Sequence, residues 1–337
     1  QNLGWEPVVF TFKQKIEAEN KFEIISNDII EPNTLYKYLF KKKVPSDILT
    51  NNKTNFLTKL LVFFRSNFFI PDSRILSIFS SKRILRRRLK KNDIDIIIST
   101  GPPHSMHLIA KTMSEEFNIP WIADFRDPWT GIEYFKKLPL LPFARQAHKK
   151  LEKRVITSCD HLITVSQSWA MFFKKLGAKD IEVIHNGYDA EDFKKDLPEP
   201  KRMSIAHFGT YPKSRNHIKL WESLNELCRD NKFKNELDLH FYGFNYEGFQ
   251  SELETYLFKD QFKVFTSITH KEATKKMYEY RFLFLSLSDT ELSEGRIPLK
   301  FFEYLATGRK IIATGKKDTD LSKLIYKLNC GYYINYG

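Results

Sequence analysis

Cysteine is scarce in this sequence: Cys159, Cys228 and Cys330 are the only three among 337 residues. An odd number of widely separated cysteines argues against a disulfide framework and favours a reducing compartment. Their spacing fits no zinc-binding pattern, and no other cluster of metal-ligating residue types stands out. The sequence therefore predicts no metal site.

Long apolar runs are missing as well. The nearest candidate, Leu57 to Ile70, is broken by Arg65, Ser66 and Asn67, whereas a helix that crosses a bilayer needs about 20 apolar residues. No secretory signal is visible. We therefore expect a cytoplasmic protein without a membrane-spanning helix.

Acidic residues are outnumbered by basic ones: the sequence has 41 Asp and Glu and 54 Lys and Arg, which gives a formal net charge of +13. Such a surface attracts polyanions, which include nucleic acids, anionic lipid headgroups and phosphorylated small molecules. The cations are densest in residues 82–91, where helical spacing would turn Ile84, Leu85 and Leu89 inward. A run of this kind is usually a solvated helix face.

Strand and helix patterns alternate along most of the chain, which predicts parallel sheets covered by helices on both faces. One series of strands ends near Ile184 and a second begins at Met203, with a polar linker at 189–201 between them. We predict an α/β fold of two doubly wound Rossmann-like domains, residues 1–188 and 189–337. Because the chain opens on a helix end and stops on a strand or turn, we expect the first strand of one domain and the closing helix of the other to be missing.

The strongest local signal follows the predicted strand 203–208. Gly209 would let a ligand approach the backbone, and a short loop leads to a helix for which Asn216 is a plausible cap. Free N–H groups at a helix start favour phosphate, and Lys213 and Arg215 would neutralise a diphosphate. The alternative is an ordinary strand-to-helix turn with exposed cations.

A second signal spans residues 294–308. Pro298 suits the first turn of a helix and Gly308 suits its C-terminal end. Lys300 and Glu303 stand three residues apart and share a helix face, at the sheet edge where such folds bind ligands. A carboxylate in this position could accept hydrogen bonds from ribose hydroxyls, although a surface Lys–Glu pair is common.

Two polar loops follow predicted strands in the first half, one containing His104 and the other containing Arg126 and Asp127. Both loops would lie on one edge of the first sheet. Their side chains could transfer protons, stabilise charge or bind an acceptor hydroxyl. A histidine in a Pro-Pro turn is as readily structural, and Asp127-Pro128 can simply begin a turn.

Taken together, these stretches resemble the retaining, GT-B-fold glycosyltransferases of family 4, and among them bacterial members that act on surface polysaccharides. The resemblance covers about residues 94–337 in the expected order. It is carried by residues 99–104 (Ser-Thr-Gly-Pro-Pro-His), 123–129 (Ala-Asp-Phe-Arg-Asp-Pro-Trp), 183–189 (Val-Ile-His-Asn-Gly-Tyr-Asp), 209–216 (Gly-Thr-Tyr-Pro-Lys-Ser-Arg-Asn) and 297–306 (Ile-Pro-Leu-Lys-Phe-Phe-Glu-Tyr-Leu-Ala).

The resemblance implies two Rossmann-like domains that face each other, with a nucleotide-diphosphate sugar bound mainly by the second. It places Lys213 and Arg215 on the diphosphate and Glu303, the second glutamate of a Glu-x7-Glu motif, on the ribose. The sequence departs from that motif, because Gly295 stands where the first glutamate is expected and Glu294 is one residue out of register. Lys300, Glu294 or the backbone around Gly295 would then make its contact.

The same resemblance implies transfer with retention of anomeric configuration to a glycan or lipid-linked acceptor, without a metal ion or other cofactor. Arg126 and Asp127 would have a role in the cleft, which Asn186 and Gly187 would line. A hydrolysing epimerase of the same architecture is the main alternative. A nucleic-acid or other polyanion-binding module is a weaker one, since the sequence carries no nucleic-acid motif.

Aromatic residues alternate with cations between Tyr36 and Lys91. A lipid-linked acceptor would make peripheral binding to the anionic inner face of the plasma membrane sensible. The alternative is that these aromatics belong to the core. The residues concerned are Tyr38, Phe40, Lys41, Lys42, Lys43, Phe63, Phe64, Arg65, Phe68 and Phe69.

Overall fold

The computed structural model describes residues 3–12, 22–28, 56–193, 200, 203–229, 231–290 and 292–336. The chain divides into two compact units, which we call unit 1 and unit 2. Unit 1 comprises Gln1–Thr164 and Trp169–Val183, and unit 2 comprises Val165–Ser168 and Ile184–Gly337. The domain bounds proposed from the sequence and the expected missing terminal elements remain predictions.

Within its described residues, unit 1 contains a two-stranded and a four-stranded sheet, both parallel, the larger in the order β3-β4-β5-β6. Its elements are β1 (Val8–Phe12), β2 (Glu23–Asn27), α1 (Phe56–Phe68), α2 (Ile78–Leu89), β3 (Ile97–Gly101), α3 (Ser105–Phe117), β4 (Trp121–Phe125), α4 (Glu133–Lys137), α5 (Pro142–Ser158), β5 (His161–Thr164), α6 (Gln167–Leu176) and β6 (Ile181–Val183).

The packing of unit 1 follows the sequence pattern. In β4 the buried residues Trp121, Ala123 and Phe125 alternate with half-buried ones. Helix α3 ends where Asn118 takes a left-handed conformation with φ 54°, which asparagine tolerates better than most residues. The basic stretch in α2 is partly neutralised, because Arg86 pairs with Glu116 at 2.8 Å. Leu89 of this helix is buried, as predicted.

Unit 2 contains one parallel six-stranded sheet in the order β12-β11-β10-β7-β8-β9. Its elements are β7 (Met203–Phe208), α7 (Ile218–Leu227), α8 (Asn231–Glu236), β8 (Leu237–Tyr242), α9 (Phe249–Leu253), β9 (Phe262–Phe265), α10 (His270–Met277), β10 (Phe282–Ser286), α11 (Leu299–Ala306), β11 (Lys310–Gly315), α12 (Asp320–Lys327) and β12 (Gly331–Asn335).

Two hydrophobic clusters cover the two faces of this sheet. One contains Phe301, Tyr304 and Leu321 from α11 and α12, and the other contains Trp221 and Leu253 from α7 and α9. The central strands are consequently almost wholly buried, whereas the edge strand β12 is mostly exposed. The predicted α/β class with parallel, doubly covered sheets is confirmed.

Candidate functional site

The order of strands in unit 2 reverses between β7 and β10. From β7 the chain proceeds outward through β8 to β9, and it then returns to form β10 on the opposite side of β7. In open parallel sheets of this type, ligands bind outside the carboxyl ends of the strands at such a reversal. The loops that follow β7 and β10 are therefore the expected location of a ligand site in unit 2.

Gly209 directly follows β7 and has φ +106°. A Cβ atom added here would lie 2.5 Å from Cε and 3.0 Å from Nζ of Lys300. Any residue other than glycine at position 209 would thus have a strained backbone, and its side chain would clash with Lys300. The absence of a side chain lets the ammonium group of Lys300 lie against the end of β7.

Lys300 is the second residue of α11, which Pro298 precedes with extended backbone. Burial lowers the pKa of Lys300; the nearby carboxylate of Glu303 acts against this shift, and the Arg215 guanidinium adds to it. Two cations and one carboxylate therefore interact around the end of β7, with Lys300 and Glu303 on α11 and Arg215 in the loop after β7. Arg215 and Glu303 thus both act on Lys300. The predicted convergence of Lys213 and Arg215 with Glu303 on one donor stays a prediction.

Glu303 is 7 % exposed and lines a cavity of about 570 Å³ in unit 2. His270, the first residue of α10, places Nε2 3.1 Å from Oε1 of this carboxylate. Nδ1 of the same ring is 3.9 Å from Oδ2 of Asp192. Gly187, one of the two predicted cleft residues, lines this cavity, and Asn186 immediately precedes it.

Lys213 and Arg215 bound a short 3₁₀ turn, in which the side chain of Lys213 is exposed and that of Arg215 is half-buried. Ser286, at the end of β10, donates a hydrogen bond of 2.6 Å to the carbonyl of Arg215. The loop after β7 is thereby fixed to the end of β10. Both sides of the strand reversal are joined by this contact.

The prediction that Asn216 caps the following helix is wrong. The capping position of α7 belongs to His217, which makes no side-chain cap. Asn216 instead donates through Nδ2 to Glu252 at 2.7 Å and accepts at Oδ1 from Nε1 of buried Trp221 at 2.6 Å. Its amide is engaged inside unit 2, and its predicted contact with a donor stays a prediction.

Glu294 and Gly295 lie in a 3₁₀ turn, Ser293–Gly295, before α11. Glu294 forms an ion pair of 2.6 Å with Lys316. Burial acts to raise the pKa of Glu294, but the hydrogen bond from Lys316, a backbone hydrogen bond and the charge of Lys316 together lower it. The carboxylate that stands next to the missing first glutamate position is therefore charged and already paired.

In unit 1, the predicted residues Arg126 and Asp127 follow β4, with the former exposed and the latter half-buried. Asp124, at the penultimate position of β4, accepts a hydrogen bond of 2.9 Å from Thr100. Its pKa is raised by burial, an effect that Thr100 and Arg126 oppose. The ends of β3 and β4 thus gather polar groups on one edge, as the sequence predicted.

His104, the third catalytic candidate, is 4 % exposed, and its ring stacks on Trp129 with centroids 4.6 Å apart. Burial holds its pKa well below the ordinary value, with smaller contributions from His107 and His148. The ring is therefore neutral and packed among aromatic residues. This environment favours the structural alternative, and a catalytic role for His104 stays a prediction.

Sequence reasoning did not identify the contact of His270 with Glu303. The signal was available, since Thr269 and Glu272 form a capping box that begins α10 directly after β9. It also missed Glu152, which is 2 % exposed and accepts hydrogen bonds from the backbone N–H groups of Trp129 and Thr130. Within the residues that the structure describes, no group of three His, Cys, Asp or Glu could hold a metal ion.

The two Rossmann-like units define the class of GT-B glycosyltransferases, and the solved structures that the chain resembles have this fold. A model described as Glycosyltransferase Family 4 matches residues 1–192, more than half of the chain, which therefore belongs to that family. No curated protein matches the sequence significantly.

Three of the similar solved structures illustrate the relation. The E. coli trehalose-6-phosphate protein bound with UDP-2-fluoro glucose has a TM-score of 0.58 at 11 % identity, over 97 % of this chain and 81 % of that one. WaaG, a glycosyltransferase involved in lipopolysaccharide biosynthesis, has a TM-score of 0.54 at 12 % identity, and the match covers 99 % of this chain and 79 % of that one. Anabaena Alr3699/HepE in complex with UDP-glucose has a TM-score of 0.53 at 14 % identity, and the match covers 75 % of this chain and 68 % of that one. At these identities the likeness establishes the fold.

Proposed function

We propose that this glycosyltransferase moves a hexose from a nucleotide-diphosphate sugar to a glycan or lipid-linked acceptor in bacterial surface polysaccharide synthesis, with retention of configuration. The observation that carries the proposal is the group of three charged residues at the strand reversal of unit 2: Lys300 lies against Gly209, Arg215 is in the loop after β7, and Glu303 is on the same helix as Lys300. It has the charges that a diphosphate and a ribose require.

In this mechanism the departing nucleoside diphosphate develops negative charge, which Lys300 and Arg215 stabilise together with Lys213 of the same turn. Lys300 is suited to this because Gly209 admits its ammonium group to the end of the strand. Glu303 accepts hydrogen bonds from the ribose hydroxyls in the 570 Å³ cavity. Glu294 and Gly295 border the sugar, and no metal ion or cofactor takes part.

The donor class is supported by relatives of the same fold, which include proteins solved with UDP-glucose and with UDP-2-fluoro glucose. The surface-polysaccharide role is supported by the likeness to WaaG, a protein of lipopolysaccharide biosynthesis. The segment Thr266–His270 follows β9 beside the donor carboxylate and is proposed to influence the choice of base. In unit 1, Arg126 and Asp127 are proposed to serve the acceptor.

A thermal-shift panel of nucleotide sugars tests the donor site. At least one compound is expected to stabilise the protein, and the double change Lys213→Ala with Arg215→Ala is expected to abolish that stabilisation. Lys300→Met should weaken donor binding about 10- to 100-fold, because it removes a charge-assisted contact worth about 1.5–3 kcal/mol. Lys263→Met, at an exposed lysine of β9 in the same unit, is the matched control.

The outcomes separate the competing functions. Transfer of sugar to an added acceptor supports the proposal, whereas free nucleotide and sugar without an acceptor product indicate the epimerase or hydrolase alternative. If no nucleotide sugar stabilises the protein and Lys300→Met behaves like Lys263→Met, the donor site is wrong.

A further inference from the structure

Helix α1 has an inverted distribution of polar and apolar residues. Ser66 and Asn67 are buried, with Asn67 1 % exposed, although polar side chains ordinarily face solvent. Phe56, Phe64 and Phe68 are by contrast 79 %, 48 % and 59 % exposed. The helix therefore turns several large apolar residues outward, while Leu61, Val62 and Phe63 are half-buried.

The exposed apolar residues of α1 are Phe56, Leu60, Phe64 and Phe68, which we call the outer stripe. They recur every four residues and, at 3.6 residues per turn, cover an arc of about 120° along the whole helix. Scattered exposed apolar residues need no explanation, but a continuous face of this kind marks a contact surface.

The outer stripe extends beyond the helix onto the start of α5. The rings of Phe68 and Phe143 lie 6.1 Å apart, and Phe143 is 54 % exposed. Asn67 fixes the two segments to each other, because it donates to the carbonyl of Pro139 at 2.8 Å and accepts from the N–H of Leu141 at 2.7 Å. Helix α1 and the loop before α5 thus form one surface, and the Asn67 amide between them is hydrogen-bonded and does not face solvent.

The basic residues beside the outer stripe indicate which kind of partner this surface binds. Lys59 and Arg65 are exposed and, on a helical wheel, lie about 60° outside the two edges of the outer stripe. Helix α1 contains no acidic residue. Long basic side chains beside an apolar face place their stems in the acyl boundary and their charges among phosphates. A second copy of the chain would bring like charges together, which disfavours it as the occupant.

We propose that the outer stripe, with Phe143, binds the surface of an anionic phospholipid bilayer, and that Lys59 and Arg65 contact its phosphate groups. Phe63 and Phe69, which the sequence also suggested, are half-buried and do not belong to this face. The suggested residues 38–43 lie outside the described ones. The proposal concerns a surface of unit 1 and does not depend on the donor site.

Vesicle flotation with the full chain tests the proposal. The protein should bind vesicles of phosphatidylcholine mixed with phosphatidylglycerol, bind phosphatidylcholine alone more weakly, and lose affinity as salt is added. Phe64→Ser with Phe68→Ser should reduce binding by about tenfold or more. Phe258→Ser, at a phenylalanine of unit 2 that is 54 % exposed, is the matched control.

Lys59→Gln with Arg65→Gln should remove the preference for anionic vesicles, whereas Lys174→Gln with Lys175→Gln, at exposed lysines of α6, should preserve it. Circular dichroism and the thermal midpoint check that each variant is folded. Absence of binding at low salt, or wild-type binding by the folded phenylalanine variant, would overturn the proposal. A dimer that this variant dissociates, without vesicle binding, would assign the outer stripe to a second copy.

Discussion

Gly101 and Gly209 occupy corresponding places in the two units, since each stands at the carboxyl end of a parallel strand and neither has room for a Cβ atom. At Gly101 a Cβ would lie 2.5 Å from Nε2 of His107 and 3.0 Å from Nδ1 of His104. At Gly209 it would lie 2.5 Å from Cε of Lys300. One glycine makes room for two buried imidazoles and the other for a lysine.

The difference shows that one sequence signal can serve packing or binding, depending on what fills the space beside the glycine. His107 is wholly buried, and its Nδ1 lies 2.8 Å from the hydroxyl of Ser99. That hydroxyl also accepts from Nε1 of Trp121 at 2.8 Å. The ring is therefore held in place and neutral. Lys300 instead carries a charge on a flexible stem at the sheet edge.

The largest expected effect concerns acid stability. Burial lowers the pKa of His107 to about 3 and that of His207 in unit 2 to about 4. Since the unfolded value is about 6.5, the unfolded state binds more protons below that pH, and stability falls as the pH drops toward the folded values. Each residue should cost about 2 kcal/mol between pH 7 and pH 5.

Urea unfolding followed by hydrogen exchange at the two pH values measures this loss for each unit. Both units should lose stability, because the pKa values of two further histidines are lowered in each, His104 and His148 in unit 1 and His217 and His240 in unit 2. Glu152 acts in the opposite sense, since burial raises its pKa and the folded state takes up a proton more readily as the pH falls. Equal stability of unit 1 at pH 7 and pH 5 would show that burial does not lower the pKa values of its histidines.

The next effect compares alanine at the two glycines. Gly101→Ala should destabilise the protein by about 1–3 kcal/mol, because the new methyl group meets an imidazole that cannot move aside. Gly209→Ala should cost about 1–2 kcal/mol through its positive φ and should also displace Lys300, so that donor affinity falls. Urea unfolding and the nucleotide-sugar thermal shift measure the two quantities.

Only Gly209→Ala is expected to weaken donor binding in protein that remains folded. The same loss of affinity in folded Gly101→Ala would contradict the division between a packing glycine and a binding glycine.

Much of the fold could be predicted because its signals are local. Strand β7 has the predicted bounds, 203–208, and helix α11 lies between Pro298 and Gly308 as predicted, since an apolar run and these two residues define them locally. Contacts between distant residues could not be predicted in this way. Asn216 looked like a helix cap from its neighbours, but Trp221 and Glu252 bind both ends of its amide.

The candidate site was predictable in part for the same reason. The positions of Arg215, Lys300 and Glu303 follow from strand ends, whereas the approach of Lys300 to Gly209 joins residues far apart in sequence. The burial of polar residues on α1 could not be predicted either, because Asn67 is buried only through its hydrogen bonds to the loop before α5. The sequence left open whether Phe64 and Phe68 belong to the core or to a membrane-binding surface, and the tertiary structure leaves both exposed.

The smallest predicted effect concerns His270, whose Nε2 lies 3.1 Å from the buried carboxylate of Glu303. If this bond holds Glu303 toward the ribose, His270→Ala should weaken ribonucleotide-sugar binding about 3- to 10-fold, the loss expected for one hydrogen bond of about 1 kcal/mol. His270→Gln, which retains a donor, should restore part of it. Titration calorimetry with ribose and 2′-deoxyribose forms of one nucleotide sugar measures the effect.

The comparison of the two sugars separates positioning from general destabilisation. A carboxylate that reads both ribose hydroxyls should lose affinity for the ribose form, while the deoxyribose form, which makes fewer bonds to it, should change less. His161→Gln, which removes the pair of 2.8 Å between His161 and Asp180 in unit 1, should alter neither affinity. Equal weakening of both forms by His270→Ala would mean that this histidine supports the packing of α10 and does not orient Glu303.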